Sequence, residues 1–229
     1  MTNEKKYTLL VKMIREYDEA AKLGGFGEKV IQRPDTFAHS SVSPFLACAA
    51  ELLLDVQAAM DRATTSTETL AALKRIYNSC PASRPAMDGF FRSGDMWALC
   101  DGCRFVRLHD KPGSIPEAPQ APGDTPPIDL EKTAQQALVG AEDVELPPAG
   151  QIKAYIAEQK ARHGTKKNRW ERYEALPGWW CDPQFLLNLV QALPGAAAVK
   201  APGPYKPVYL KSENGDGLLL PCKPPQVQA

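Results

Sequence analysis

Met96-Trp97-Ala98-Leu99-Cys100-Asp101-Gly102-Cys103-Arg104-Phe105-Val106-Arg107-Leu108 is the stretch that decides the fold class. Apolar residues dominate both arms, and Asp101-Gly102 sits between them. Asp-Gly is a preferred pair for a two-residue hairpin turn, whose central positions both need positive φ. The run therefore predicts a hairpin, 96–100 with 103–108, in which Cys100 and Cys103 face each other as a strand pair. Residues 87–93 read as a further strand just upstream. A period of two starts here; what precedes it has the period of helices.

Residues 4–23 place Tyr7, Leu10, Val11, Ile14, Tyr17 and Ala21 on one stripe, with Lys and Glu opposite, which predicts an amphipathic helix. Gly24-Gly25 is its expected stop. Residues 24–42 show no clear period. Gly24-Gly25-Phe26-Gly27 follows a helix and has no strand before it, so it reads as a helix stop and not as a phosphate cradle. Ser43-Pro44 has the form of an N-cap followed by a first helical residue. The helix it opens, 43–63, is apolar nearly all round, which predicts that it is mostly buried and that residues 1–63 pack on the rest. Thr67 opens a third helix with Leu70, Leu73, Ile76 and Tyr77 inward, ending near Cys80-Pro81.

Downstream of the hairpin, residues 111–127 hold six prolines and read as a linker or a long exposed loop. A short helix is expected at 128–139, a strand at 144–146 and a helix at 148–163. Residues 164–180 turn basic and then aromatic. Asp182-Pro183 caps a helix, 183–193, with Phe185, Leu186, Leu189, Val190 and Leu193 inward. Strands follow at 196–200, 206–211 and 217–221, the last two joined by Asn214-Gly215-Asp216-Gly217. The tail from Pro224 is expected to fray. Helices and antiparallel strands together make an α+β chain.

The 229 residues, 44% of them hydrophobic, suffice for one large domain and rule out wholesale disorder. No apolar run reaches 18 residues, so no membrane helix or membrane partner is expected. The N-terminus has no apolar signal core, and a cytoplasmic location is the expectation. Lys plus Arg and Asp plus Glu number 27 each, which excludes a uniformly basic polyanion binder. The balance conceals a polarity. Residues 117–147 carry seven acids against Lys132, a net of −6, while residues 150–175 carry seven bases against three Glu, a net of +4. Lys153, Lys160, Arg162, Lys166, Lys167, Arg169 and Arg172 are thus candidate phosphate contacts, with Trp170 and Tyr173 available for base stacking. The competing reading is a solvated helix face that pairs with the acidic stretch.

Catalytic signals are poor. His39, His109 and His163 are isolated, and no G-x-S-x-G, Walker or G-x-G-x-x-G pattern is present. An enzyme is not expected, and no cofactor is implied. Cys100-x-x-Cys103 invites a zinc reading with Cys80, His109 or Cys181 as further ligands, but no second C-x-x-C exists, so no metal is assigned. A redox C-x-x-C opens a helix, and this one lies in strand context. Packing cysteines in a hairpin are the simplest reading. Trp179 and Trp180, adjacent in an extended segment, point to opposite sides. One is expected to pack and the other is a candidate partner anchor, against core packing of both.

Two stretches resemble the bacterial DNA polymerase III β sliding clamp. In Leu70–Leu108, the run Ala98-Leu99-Cys100-Asp101-Gly102-Cys103-Arg104-Phe105-Val106 is similar to the clamp pattern A-T-D-G-H-R-L-A, keeping Asp-Gly-x-Arg and replacing Thr and His by Cys100 and Cys103. In Cys181–Lys223, Phe185-Leu186-Leu187-Asn188-Leu189-Val190-Gln191-Ala192-Leu193 resembles the clamp's Y-L-L-D-A-L-K-A-L. Pro207-Val208-Tyr209-Leu210-Lys211-Ser212 and Gly215-Asp216-Gly217-Leu218-Leu219-Leu220-Pro221 resemble its closing P-V-x-I-x-S-x-D-G-x-x-x-L-x-M-P. Together they cover about a third of the chain.

The resemblance implies one clamp-like α+β domain, 64–222, made of two βαβββ halves. The segment 111–180 is then an insertion, 1–63 an added helical region and 223–229 a tail. It also implies a non-enzymatic role in DNA metabolism, with DNA, replication proteins or further copies of the chain as partners. A clamp ring needs six such domains and lines its bore with basic helices. Here the first helix offers Lys74 and Arg75, and the second neither Lys nor Arg. In clamps the closing strand helps form a peptide pocket; the matching positions are Leu218, Leu220, Pro221 and Cys222. The alternative is a protein-interaction module that keeps the fold without binding nucleic acid.

Overall fold

The structure, a computed structural model, describes residues 2–38, 43–81, 83–119, 128–164 and 170–224. The expected fraying tail, 225–229, lies outside the described residues, as does the 120–127 part of the proline-rich stretch.

The N-terminal helices follow from their caps. α1 (Asn3–Ala21) starts at Thr2, whose hydroxyl accepts from the Lys5 N–H. It stops at Lys22, earlier than the glycine pair, because Lys22 takes the left-handed conformation at φ 55° and its N–H returns to Asp18 and Glu19 carbonyls. The stretch without a clear period holds two short helices, α2 (Phe26–Gln32) and α3 (Pro34–Phe37). α4 (Pro44–Thr64) opens as expected, with the Ser43 hydroxyl accepting from the Leu46 N–H and Pro44 in the first turn. Ile14, Val30, Leu46, Ala50 and Leu53 form the core of this unit. α4 is not buried all round: Phe45 and Leu52 stay exposed.

α5 (Thr67–Tyr77) leads through a 3-10 turn (Pro85–Met87) to β1 (Phe91–Ser93), β2 (Met96–Cys100) and β3 (Arg104–Leu108). Then come α6 (Leu130–Leu138), β4 (Glu142–Val144), α7 (Ala149–His163), the hairpin β5 (Tyr173–Leu176) and β6 (Trp179–Cys181), α8 (Pro183–Ala192), and β7 (Ala197–Lys200), β8 (Val208–Ser212) and β9 (Gly215–Leu219). Seven strands make one antiparallel sheet in the order β1-β2-β3-β9-β8-β7-β4, and β5 and β6 pair apart from it. The chain is α+β.

The order contains a repeat. α5 followed by β1-β2-β3 and α8 followed by β7-β8-β9 are each a helix plus a three-strand meander, and their last strands, β3 and β9, pair with each other. α5 and α8 lie side by side and antiparallel. Thr69 at the start of α5 bonds the Gln191 carbonyl at the end of α8, and Arg104 bonds both Ser79 just past α5 and Phe185 near the start of α8. β4 adds an opening strand to the second meander; among the described residues the first has no counterpart.

Strand alternation sorts the side chains onto two faces. Leu99, Val106, Leu108, Val208, Leu210 and Leu219 face α5 and α8. Ala98, Cys100, Phe105, Tyr209 and Leu218 face α6, which packs Leu130, Ala134 and Ala137 on them. Gly217 lets α8 approach, since a Cβ there would stand 2.7 Å from Leu189 Cδ1 and 2.9 Å from the Phe105 carbonyl. On the α6 face, Arg107 Nε donates to Asp216 Oδ1 at 2.8 Å, its Nη2 donates to Oδ2, and the Tyr209 hydroxyl donates to Oδ2 at 2.8 Å. All three residues are buried.

Both hairpin tips are displaced from their expected places. Cys100 pairs with Phe105, so the first tip is Gly102-Cys103 and Cys103 does not face Cys100. Asp101 causes the shift: its carboxylate accepts from the Cys103 and Arg104 N–H groups at 2.9 Å, and Gly102 takes φ 89° at the tip. In the second hairpin Ser212 pairs with Gly215, so Glu213 and Asn214 turn the chain and Gly215–Gly217 belong to β9. The proline-rich stretch also differs from a free linker where it is described. Ile115 is fully buried, and the segment bonds Phe90 through Pro116 and Ala118. Asp61 of α4 holds the Gly113 and Ser114 N–H groups at 2.8 Å, and Arg33 reaches Asp88 at 3.4 Å, so the N-terminal helices seat on this segment and on the approach to β1.

Burial, with the bond to Asp216 second, pushes the Tyr209 hydroxyl up to about 12. A raised folded value means that the protonated form is held more tightly in the native state. The associated stability is fully present below about pH 10, the unfolded value, and is lost as pH rises toward about 12. Urea unfolding at pH 8 and pH 11 is expected to show the native protein losing about 1 kcal/mol more than Tyr209→Phe between the two; equal losses would contradict the network.

Candidate nucleic-acid interface

α7 packs Ile152 and Ile156 against the helix side of the core. The chain after it folds back along the helix. The Tyr155 hydroxyl donates to the Glu171 and Arg172 carbonyls at 3.2 Å, Gln159 Oε1 accepts the Glu171 N–H at 3.0 Å, and the Trp170 indole N–H donates to the Gly164 carbonyl at 3.1 Å. The rings of Tyr155 and Tyr173 stack at 4.7 Å. This places Lys160, Arg162 and Arg172, all exposed, around the C-terminal half of α7. Lys166, Lys167 and Arg169 lie outside the described residues.

Other expected cations are spoken for. Lys153 donates to Glu68 of α5, which also accepts from Gln191 of α8, and this cation beside Glu68 lowers its carboxyl value. Arg162 pairs with Glu158 one turn back. Arg75 reaches Gln191 Oε1 at 3.5 Å, and Lys74 is exposed. Among the described residues Lys74, Lys160 and Arg172 have no ion-pair partner. Exposed pairs of this kind contribute little to stability, about 0–1 kcal/mol, so they compete only weakly with a phosphate. α8 is largely covered. Seven of its ten residues, including Asn188 and Gln191, are buried between α5, α7 and the sheet.

The expected partner residues divide. Trp179 is fully buried, and its indole N–H, which burial obliges to find an acceptor, donates to the Lys206 carbonyl at 2.9 Å. Leu218 is buried under α6. These two belong to the core. Trp180, Leu220, Pro221 and Cys222 do come together. The Cys222 N–H donates to the Trp180 carbonyl at 2.7 Å, and the Leu220 N–H donates to the Cys103 carbonyl at 2.9 Å. Leu220 is exposed and the other three are half-buried.

Arg104 carries the geometry of this end, a role not assigned to it from sequence. Its side chain is buried, with Nε on Asp101 at 2.9 Å, Nη1 on the Phe185 carbonyl at 3.2 Å and the guanidinium over the Phe185 ring at 4.3 Å. Burial lowers its pKa despite Asp101. The Arg of Asp-Gly-x-Arg thus ties the hairpin tip to α5 and α8; its buried partner carbonyl, remote in sequence, left no local signal.

The cysteines do not converge as ligands. Among the described residues no group of three or more His, Cys, Asp or Glu is placed to hold a metal. Burial pushes the Cys80 thiol up to about 12 and raises Cys100 and Cys181 as well. A cleft of about 1090 Å3 runs between the N-terminal helices and the 111–119 segment. Its charged residues other than Lys29 serve each other or the backbone: Arg33 with Asp88, Lys111 with Glu117, and Asp61 with two amides. No described helix is long and apolar enough to cross a membrane.

Compared with protein-family models, with curated proteins and with solved structures, the chain finds no match in any of the three.

The cysteine placements have a direct readout. Brief alkylation at pH 8 with peptide mapping is expected to label Cys103, exposed at its tip, well before Cys100 and Cys181, which should react only on unfolding. Equal rates for Cys100 and Cys103 would contradict the displaced turn.

Proposed function

We propose that the chain is a non-enzymatic, clamp-like module of DNA metabolism that touches DNA from its surface and does not encircle it. The clamp-like half of this reading is supported by the repeat of helix plus meander, joined through β3 and β9 with α5 and α8 side by side. The fold-back of residues 170–172 along α7 is the observation that carries the DNA half. It lays Arg172 alongside α7, whose last turns carry exposed Lys160 and Arg162, and Trp170 bonds the Gly164 carbonyl at the end of that helix. Encirclement is disfavoured because α7 covers α8, the second helix that would have to line a bore.

A second reading, a protein-interaction module without a nucleic-acid role, is favoured by the pairing of Lys153 with Glu68 and of Arg162 with Glu158. Anisotropy titrations of labelled single- and double-stranded DNA separate the two. The first predicts binding at about 50 mM salt that falls linearly on a log–log plot as salt rises. Lys160→Glu with Arg172→Glu should weaken it by about tenfold or more and flatten the salt slope. No binding at low salt would leave the interaction module.

A further inference from the structure

We propose that Cys103 and Cys222 are a redox-sensitive pair, in which exchange with a small-molecule disulfide, glutathione disulfide, joins the tip of the β2–β3 hairpin to the segment after β9. This stands independently of any contact with DNA.

Backbone bonds bring both cysteines to one corner. Asp101 draws the Cys103 and Arg104 N–H groups onto its carboxylate at 2.9 Å, which leaves Cys103 exposed at the tip. β3 and β9 pair from Leu108 with Gly215 up to Arg104 with Leu219. The Leu220 N–H, on the Cys103 carbonyl at 2.9 Å, carries that ladder one step further, so Leu220 stands opposite Cys103. Cys222 is two residues on and therefore shares the side of Leu220. Its N–H is held by the Trp180 carbonyl at 2.7 Å. Diagonal neighbours on paired strands stand about 7–8 Å apart, somewhat less between Cβ atoms. A disulfide needs Cα atoms roughly 4.4–6.8 Å apart. Neither cysteine belongs to a strand, so an inward shift of about 1–2 Å at the tip and the segment facing it closes the gap.

Exposure selects this pair from the six cysteines. Cys48 lies on α4, and Cys80 bonds the Ile76 carbonyl at the end of α5. Cys100 is buried on the α6 face. Cys181 adjoins Trp180, and so Cys222, but it is fully buried, and a buried thiol is inert toward a reagent in water. Cys103 is exposed and Cys222 half-buried. Burial, then Asp101, then Cys222 raise the Cys103 thiol, so the two sulfurs are near enough to interact. The exchange runs in two steps. Cys103, as thiolate, attacks one sulfur of glutathione disulfide; the S–S bond of the reagent breaks, a Cys103–glutathione bond forms, and one glutathione leaves as thiolate and takes up the proton that Cys103 gave up. Cys222, as thiolate, then attacks the Cys103 sulfur, and the second glutathione leaves in the same way. Two protein thiols are oxidised and one glutathione disulfide is reduced to two thiols. The product fastens Leu220 and Pro221 to the tip that Arg104 ties to α5 and α8.

Intact-mass and peptide mapping of the full chain in glutathione redox mixtures test this. Glutathione disulfide should yield a monomeric product lighter by two hydrogens, and the map should join the Cys103 and Cys222 peptides. Excess reduced glutathione should reverse it. Cys222→Ser, at a half-buried position outside the strands, should keep its circular-dichroism spectrum and stop at the Cys103–glutathione adduct. Because the Cys103 thiol is raised, the rate should climb about tenfold per pH unit from about pH 7 to about pH 8. A native chain that stops at the adduct, a bond from either cysteine to Cys181 or to a second chain, a Cys222→Ser variant that still loses two hydrogens, or a rate indifferent to pH would each overturn the proposal.

Discussion

Arg107 and Asp216, 109 residues apart in the chain, meet as register partners across β3 and β9 with two parallel hydrogen bonds, and Tyr209 closes the third acceptor position. Everything else in the sheet depends on that meeting. β3 ends the first meander and β9 the second, so their pairing turns two small sheets into one of seven strands. It also brings α5 and α8 onto one face, where their apolar stripes cover Leu99, Val106, Leu210 and Leu219. A buried ion pair is seldom a large net source of stability, since desolvation offsets most of the attraction. Its effect is on register. A slip of one residue would turn Arg107 and Asp216 to opposite faces and leave two buried charges unpaired.

A second buried arginine does related work at the other end of the helix layer. Arg104 joins the tip of β2–β3 to Ser79 after α5 and to Phe185 in α8. Arg104 and Arg107 lie on the same strand and hold different layers: one fixes the sheet to itself, the other fixes the sheet to its helices. The segment between the two meanders then uses both faces. α6 covers the Arg107 side, and α7 covers α8 on the opposite side. That coverage leaves α8 largely buried.

Much of this architecture was legible in the sequence, and the exceptions have physical causes. α1, α5 and α8 carried a period, α4 and α8 carried a cap, and the β2–β3 and β8–β9 hairpins carried apolar arms and glycine turns. α2 and α3 are too short to display a period. β5 and β6 are short strands in which Trp179-Trp180-Cys181 reads as an apolar run, not as alternation. The two tips shifted because side-chain bonds and strand register, and not the preferred dipeptide, set where each chain turns. α4, apolar nearly all round, points to a mostly buried helix, yet Phe45 and Leu52 stay exposed, because composition does not tell an apolar surface from an apolar core. In the candidate site, the basic cluster was legible as charge. The pairing of Lys153 with Glu68, 85 residues away, and the burial of Trp179 and Leu218 were not, since each depends on a tertiary neighbour.

The pairing of β3 with β9 locks the two helix–meander units into one cooperative body. Native-state hydrogen exchange tests it most directly. The paired amides of β2, β3, β8 and β9 should be the most protected, open with the same free energy, and respond together to denaturant. Amides of the first meander that open at a distinctly lower free energy than those of the second, with their own denaturant dependence, would contradict it.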